Sequence, residues 1–265
     1  MARFSGDDPG GTDFAAALDG VFGLQDATPD RQSEPPGFLA DALDAGQFCL
    51  CADGDFGRYT LNSLIVAAVV TAGKLGTSLL AAYAFTQFRF SGRGFLYYAS
   101  VLSMFVPFVS TMLPNYLMLA KWGWLNTYWA VIVPHLADGM GIFLLRQSIR
   151  SIPQSILEAA RLDGISHLGI LRTIVTPVIK PSLVALGILF FVNSWNEYFW
   201  PMLVLNQKVM YTLPLALSMF ANVEGGAEWG AVMAAATLTA LPPLAGFLLA
   251  RRYVVETFLH SGVKG

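Results

Sequence analysis

Five stretches of this chain run for about 20 residues or more with at most two charged side chains, the length an α-helix needs to cross a hydrocarbon layer about 30 Å thick. They are Leu61–Phe85, Phe95–Ala120, Tyr128–Leu145, roughly Val178–Leu205, and Trp229–Ala250. Inside a bilayer every backbone N–H and C=O must be bonded within the protein, so only helices or a closed barrel can cross. Runs of this length select helices. Composition agrees: 13% of residues are charged, about half the share of a typical soluble chain, and mean hydropathy is +0.54. The expected class is an all-α membrane protein with about five spanning helices.

Prolines interrupt four of the spans, at 107 and 114, at 134, at 181, and at 242 and 243. Kinks are tolerated in a membrane where neighbouring helices or water satisfy the freed carbonyls. So many of them suggest a bundle around a path, not a simple anchor.

Basic residues set orientation. Loop 86–94 holds Arg89 and Arg93, and the long stretch 146–180 holds Arg146, Arg150, Arg161, Arg172 and Lys180. The tail holds Arg251, Arg252 and Lys264, whereas loops 121–127 and 206–228 hold only Lys121 and Lys208. Rich and poor loops alternate without a break. The expectation is that 86–94, 146–180 and the C-terminus are cytoplasmic. Trp122, Trp124, Trp200 and Trp229 then suit the outer interface.

The first sixty residues differ in kind. They carry three basic and eleven acidic side chains, net −8, while residues 61–265 carry thirteen and seven, net +6. Segment 1–58 is acidic, rich in Gly, Pro and Asp, and aperiodic, which reads as disordered or loosely folded. With five spans it lands outside. Its apolar run Phe14–Leu24 is broken by Asp19 and Gly20 and has no basic start, unlike a secretory signal. Cys49 and Cys51 have no histidine nearby and read as two unrelated small residues rather than a metal site. No cofactor or metal is expected, and the charge balance gives no reason to expect nucleic acid.

The most informative segment is the connection 153–177, which reads as two short helices. Pro153 suits a first turn, Ser155 and Glu158 have the spacing of a capping box, and Gly164 suits a left-handed C-terminal cap. A second helix is expected from about Ser166 to Pro177. Ile156, Leu157, Ala160, Ile165, Leu168 and Leu171 form an apolar stripe at helical spacing. Such a hairpin is a plausible docking knob for another protein.

Within it, Glu158-Ala159-Ala160, then Gly164, Ile174 and Pro177, resemble the EAA signature of ABC importer permeases, with Thr176 where leucine is usual. The likeness extends over most of 59–265. Leu61-Asn62-Ser63, Ala81-Ala82-Tyr83-Ala84-Phe85, Phe88-Arg89-Phe90, Trp195-Asn196-Glu197-Tyr198-Phe199-Trp200-Pro201 and the ending Arg252-Tyr253-Val254…Gly262-Val263-Lys264-Gly265 are similar to the carbohydrate-uptake branch. That branch includes the maltose and sn-glycerol-3-phosphate importers. Gly73-Lys74 and Glu224-Gly225-Gly226-Ala227-Glu228-Trp229 resemble its glycerol-3-phosphate members.

The resemblance implies a type I ABC importer transmembrane fold. It also implies a coupling loop, with Glu158, Ala159, Ala160, Asp163, Gly164, Ile174 and Pro177, that docks on ATPase subunits. The implied partners are two ATPases, a second permease subunit in a heterodimer, and an extracytoplasmic solute-binding protein, all at the cytoplasmic membrane. Permeases of this branch usually begin with a further span, which residues 1–60 do not supply. Either the chain uses only the five-helix core or its start is altered.

Polar residues inside spans cost at least about 2.5–3.5 kcal/mol when charged. Lys74 should therefore face the bundle interior, a partner or water, either lining a solute path or pairing with a carboxylate. Asn193, Asn196 and Glu197 are spaced to share a helix face. With Trp195 as a stacking ring, they suit sugar hydroxyls, or equally helix–helix hydrogen bonds and gating. His135 and Asp138 read as a buried structural pair, with a proton relay as the other reading. The chain has no Gly-rich phosphate loop followed by Lys-Ser/Thr, no G-x-S-x-G and no H-E-x-x-H. It should not hydrolyse ATP itself and is not expected to be an enzyme. An ion-coupled secondary transporter using Lys74, His135 and Asp138 is the alternative, though such folds often carry internal repeats and none is visible here.

Overall fold

The computed structural model describes residues 56–220, 236–237 and 239–248. All but the last three residues of segment 1–58, both cysteines, part of the fifth expected span and the basic C-terminal residues lie outside the described residues. Among those described, all regular structure is helical.

The first helix, α1, covers Phe56–Gln87, about 48 Å at 1.5 Å per residue. It contains no proline, and it is the one described helix long and apolar enough to cross a membrane unaided. The second, third and fourth expected spans are broken, and each break has a proline or a capping side chain behind it.

Expected span Phe95–Ala120 is two helices bent by 103°. These are α2 (Arg93–Leu102, continued as a 3-10 turn Ser103–Phe105) and α3 (Phe108–Lys121). Pro107 has no N–H and holds φ at −60°, and the preceding Val106 is pushed to extended backbone, as steric clash before a proline requires. The third span, α4 (Tyr128–Ile132, continued as the turn Val133–His135) and α5 (Gly139–Arg150), bends by 45°. Asp138 starts α5 by accepting the Gly141 N–H at 2.9 Å. This uses a side-chain oxygen to satisfy one of the helix's unpaired donors.

The hairpin expected at 153–177 is α6 (Gln154–Leu162) and α7 (His167–Val178), and α7 turns by 82° into α8, Lys180–Trp195. The fourth expected span is thus not one helix either. It stops at Trp195 and restarts as α9, Phe199–Val204. Pro201 cannot donate to the carbonyl four residues back and its ring crowds that carbonyl. The helix therefore ends early, and Pro201 sits in the first turn of a new one. A 3-10 turn Lys208–Met210 leads to α10, Leu213–Phe220, and α11 covers Thr239–Leu248.

Two apolar clusters form along α1. Its first half contributes Tyr59, Val66, Ala67 and Val70 to a cluster with Leu119, Ile132, Trp195, Trp200 and Leu213. Its second half contributes Ala82 and Tyr83 to a cluster with Leu145, Ile149, Leu157, Ile170, Val175 and Phe190. Helices α5 and α8 pack closely on α1. A Cβ on Gly141 would overlap the Ser78 hydroxyl and lie 2.9 Å from the Phe190 ring, so only glycine allows that approach.

The described loops fall at two ends. Arg161 Nη2 donates to Gln87 Oε1 at 2.6 Å, joining 86–94 to the hairpin. At the other end the Asn126 N–H donates to the Val204 carbonyl at 2.7 Å. Asn126 Oδ1 in turn accepts the Asn206 and Gln207 N–H groups at 3.1 and 3.0 Å.

The Asn62-Ser63 pair fastens that same end. Asn62 Nδ2 donates to the Val209 and Tyr211 carbonyls, both at 3.0 Å, and Ser63 Oγ accepts the Leu213 N–H at 2.7 Å. Both side chains are buried. Asn62→Ala orphans two carbonyls and is expected to destabilise by about 1–3 kcal/mol. A thermal melt of the purified protein in detergent checks this: a melting temperature equal to the parent's would refute the clamp.

Candidate functional site

Two regions carry chemistry: the hairpin α6–α7 at one end, and a polar cavity further along α1.

In the hairpin, Asp163 caps α6 and Gly164 takes φ +77°. The Gly164 N–H donates to the Arg161 carbonyl at 3.0 Å, and the Ile165 N–H donates to the Ala160 carbonyl at 3.1 Å. These two bonds make a complete Schellman end. The expected capping box does not form. Pro153 occupies the cap position with no side-chain bond, and α6 starts at Gln154, which puts Ser155 and Glu158 inside the helix. Ser166 opens α7 as expected, its Oγ accepting the Gly169 N–H at 3.2 Å.

Within α7, residues Leu171–Val175 form a π segment. Thr176 Oγ1 donates to the Leu171 carbonyl at 2.7 Å, the carbonyl its own N–H also serves. Pro177, having no N–H, could not continue a regular ladder. The threonine at the one position that departs from the EAA pattern therefore holds the irregular turn before it.

The expected apolar stripe divides. Leu157, Ala160 and Leu171 are buried in the body of the protein and Ile174 packs beside them. Ile156, Ile165 and Leu168 face outward, and so does Leu162, which the stripe did not include; Leu162 is 89% and Leu168 61% exposed. Glu158, Ala159 and Asp163 are exposed in the same hairpin, and Pro177 is exposed at the far end of α7. The hairpin thus shows apolar side chains at its tip and is anchored from behind.

The anchoring side chains were not foreseen. The Tyr83 hydroxyl lies 3.2 Å from His167 Nδ1, and the Phe88 ring centres 4.6 Å from the His167 ring. With Gln87–Arg161 these contacts tie the hairpin to the end of α1. The partners stand 74 and 84 residues apart, so no local pattern signals them.

The cavity encloses about 80 Å³ and is lined by Ser63, Lys74, His135, Asn193, Glu197 and Thr212, among others. Ligand sites usually run about 300–1,000 Å³. In this conformation the cavity has room for two or three waters, at roughly 30 Å³ each, and for no sugar ring.

Lys74 Nζ is 3.4 Å from Asp138 Oδ2, with the two side chains 14% and 23% exposed, and lies 5.1 Å from the Phe190 ring centre. Asp138 therefore turns to Lys74 and to its own helix start, and not to His135. His135 Nδ1 lies 2.9 Å from the Val131 carbonyl, and its ring packs on Phe108 and Trp200. The pairing expected between His135 and Asp138 is replaced by Lys74–Asp138.

Three of the five candidate path residues line the cavity: Lys74, Asn193 and Glu197. Asn196 caps the end of α8 and is exposed, because the helix face it was to share ends there. Trp195 is 1% exposed, stacks on Phe191 and donates Nε1–H to the Thr239 carbonyl at 3.0 Å, so its ring faces are unavailable to a sugar. Glu197 Oε1 accepts the Phe199 and Trp200 N–H groups, both at 3.1 Å, and so caps the restart that Pro201 imposes. Among the described residues no cation pairs with it.

The family described as "Binding-protein-dependent transport system inner membrane component" matches residues 74–256. The chain is 34% identical over 207 residues to the sn-glycerol-3-phosphate transport system permease protein of Pectobacterium atrosepticum, covering 78% of this chain and 74% of that one. It is 33% identical over 204 residues to the arabinooligosaccharides transport system permease protein of Halalkalibacterium halodurans, covering 77% and 73%. Among solved structures, a bacterial ABC transporter involved in the import of the acidic polysaccharide alginate superposes with a TM-score of 0.75 at 20% identity, over 96% of this chain and 100% of that one.

Proposed function

We propose, from the premise that the chain belongs to the binding-protein-dependent transport system inner membrane component family, that it is the permease subunit of an ABC importer for a sugar or a glycerol-3-phosphate-type solute. It works in the cytoplasmic membrane as a multi-pass protein, with loops 86–94 and 146–180 inside. Separate ATPase subunits dock on the α6–α7 hairpin, a second permease subunit completes the path, and an extracytoplasmic binding protein delivers the solute.

The observation that carries this reading is the hairpin tip. Leu162 and Leu168 are largely exposed beside Ile156 and Ile165, on a turn anchored to α1. Exposed apolar side chains grouped at one tip mark an interaction site more often than a solvated surface. For energy to enter here, the ATPase must bind the two access states of the permease with different affinity. The hairpin's ties to Tyr83 and Gln87 give that difference a route into α1. The ion-coupled alternative gains nothing from the geometry, since Lys74 and Asp138 neutralise each other and Asp138 stands apart from His135.

Leu162→Asp places a charge at the centre of the tip while leaving the buried side of α6 intact. It should reduce co-purification of the ATPase subunits with the permease by about tenfold or more, a change on the scale of one interface hot spot. Full co-purification by a correctly folded L162D permease would reject the docking site.

A further inference from the structure

The polar lining beside α1 carries a charge balance that bears on the solute. Resting on the permease reading above, we infer that this path selects an uncharged, hydroxyl-rich solute over a phosphate monoester. Among the described lining residues the one cation, Lys74, is matched by Asp138 at 3.4 Å. Glu197 also lines the cavity, and its hydrogen bonds are to two backbone N–H groups, with no cation pairing it among the described residues. Lys74 and Glu197 in the lining, with Asp138 against Lys74, together leave one negative charge, and protonating His135 would bring this group only to neutrality.

A phosphate monoester carries about −1.5 to −2 at neutral pH. At about 6 Å and an effective dielectric of about 20, one phosphate charge beside Glu197 loses about a hundredfold in occupancy. A neutral polyol meets no such penalty. It also meets a group suited to hydroxyls, the Asn193 amide, and the lining includes Thr212, whose buried hydroxyl has no hydrogen-bond partner among the described residues. A buried hydroxyl without a partner is costly, and a sugar hydroxyl can both donate to it and accept from it.

The test uses the whole importer in proteoliposomes: this chain with its partner permease, ATPases and receptor. Labelled arabinotriose and maltose serve as neutral probes and labelled sn-glycerol-3-phosphate as the anionic one. For the parent complex, kcat/KM for a neutral probe should exceed that for sn-glycerol-3-phosphate by about a hundredfold. In the Asp138→Asn/Glu197→Gln double variant both caps keep an acceptor oxygen, and Lys74 is left unmatched. The phosphate-to-neutral ratio should then rise by at least about tenfold, a shift that receptor selectivity alone would not produce. Two results would overturn the inference: parent uptake of sn-glycerol-3-phosphate on a par with the neutral probes, or an unmoved ratio in an assembled double variant. Uptake of every probe independent of ATP would instead strike the permease reading.

Discussion

Gly164→Val is expected to reduce solute uptake by the assembled importer about tenfold or more while the ATPase subunits continue to hydrolyse ATP. The reason is conformational. Gly164 sits at φ +77°, and a Cβ there would meet no atom within 4 Å, so space is not what demands glycine. A left-handed backbone costs an ordinary residue about 1–2 kcal/mol, and a β-branched residue there is a rarer outlier still. At 1.4 kcal/mol per decade, about 2 kcal/mol removes well over nine-tenths of the hairpins from the docking shape. Gly164→Asn, which tolerates this region, should keep most of the uptake. The measurement is the ratio of solute moved to ATP hydrolysed in proteoliposomes. Uptake by the valine variant equal to the parent's would sink the coupling role of this turn.

Asp138→Ala should be the most damaging single change in the membrane portion. It removes the carboxylate facing Lys74 and the acceptor for the Gly141 N–H. Breaking a partly buried ion pair by deleting one partner costs about 3–5 kcal/mol, and loss of a helix cap adds about 1 kcal/mol. The 3.4 Å separation argues for the lower end of the ion-pair range. Asp138→Asn keeps an oxygen for the cap and should be milder. The informative variant is Lys74→Met/Asp138→Asn, in which neither charge remains. Replacing a buried pair by neutral groups is often close to neutral for stability, so the double variant should recover most of the folded yield lost by D138A. Folded protein recovered from membranes and its melting temperature decide it: a double variant as unstable as D138A would mean that the pair is not what holds this region.

Much of the hairpin was legible because its signals are local. The left-handed Gly164 and the helix start at about Ser166 follow from residue chemistry within one turn, and both stand in the structure. The capping box at Ser155 and Glu158 failed because the same segment offered Pro153 two positions earlier, and the helix begins directly after the proline. Span breaks were legible in principle and misjudged in degree. Pro107 and Pro201 were in view, yet Phe95–Ala120 and Val178–Leu205 read as single spans. The shared face of Asn193, Asn196 and Glu197 assumed an unbroken helix that Pro201 does not permit. The ties from Tyr83 to His167, Gln87 to Arg161 and Lys74 to Asp138 join residues 64 to 84 positions apart, and only the packing of α5 and α8 on α1 brings them together.

That α1 serves both apolar clusters has a mechanical consequence. Tyr83 is held at the hairpin and Lys74 at the cavity, nine residues away along one uninterrupted helix, a distance of about 14 Å. A regular helix bonded at every turn shortens or stretches very little, so it behaves as a shaft. A push received at its hairpin end arrives beside the polar cavity as a displacement of similar size, with no loop between to absorb the stroke.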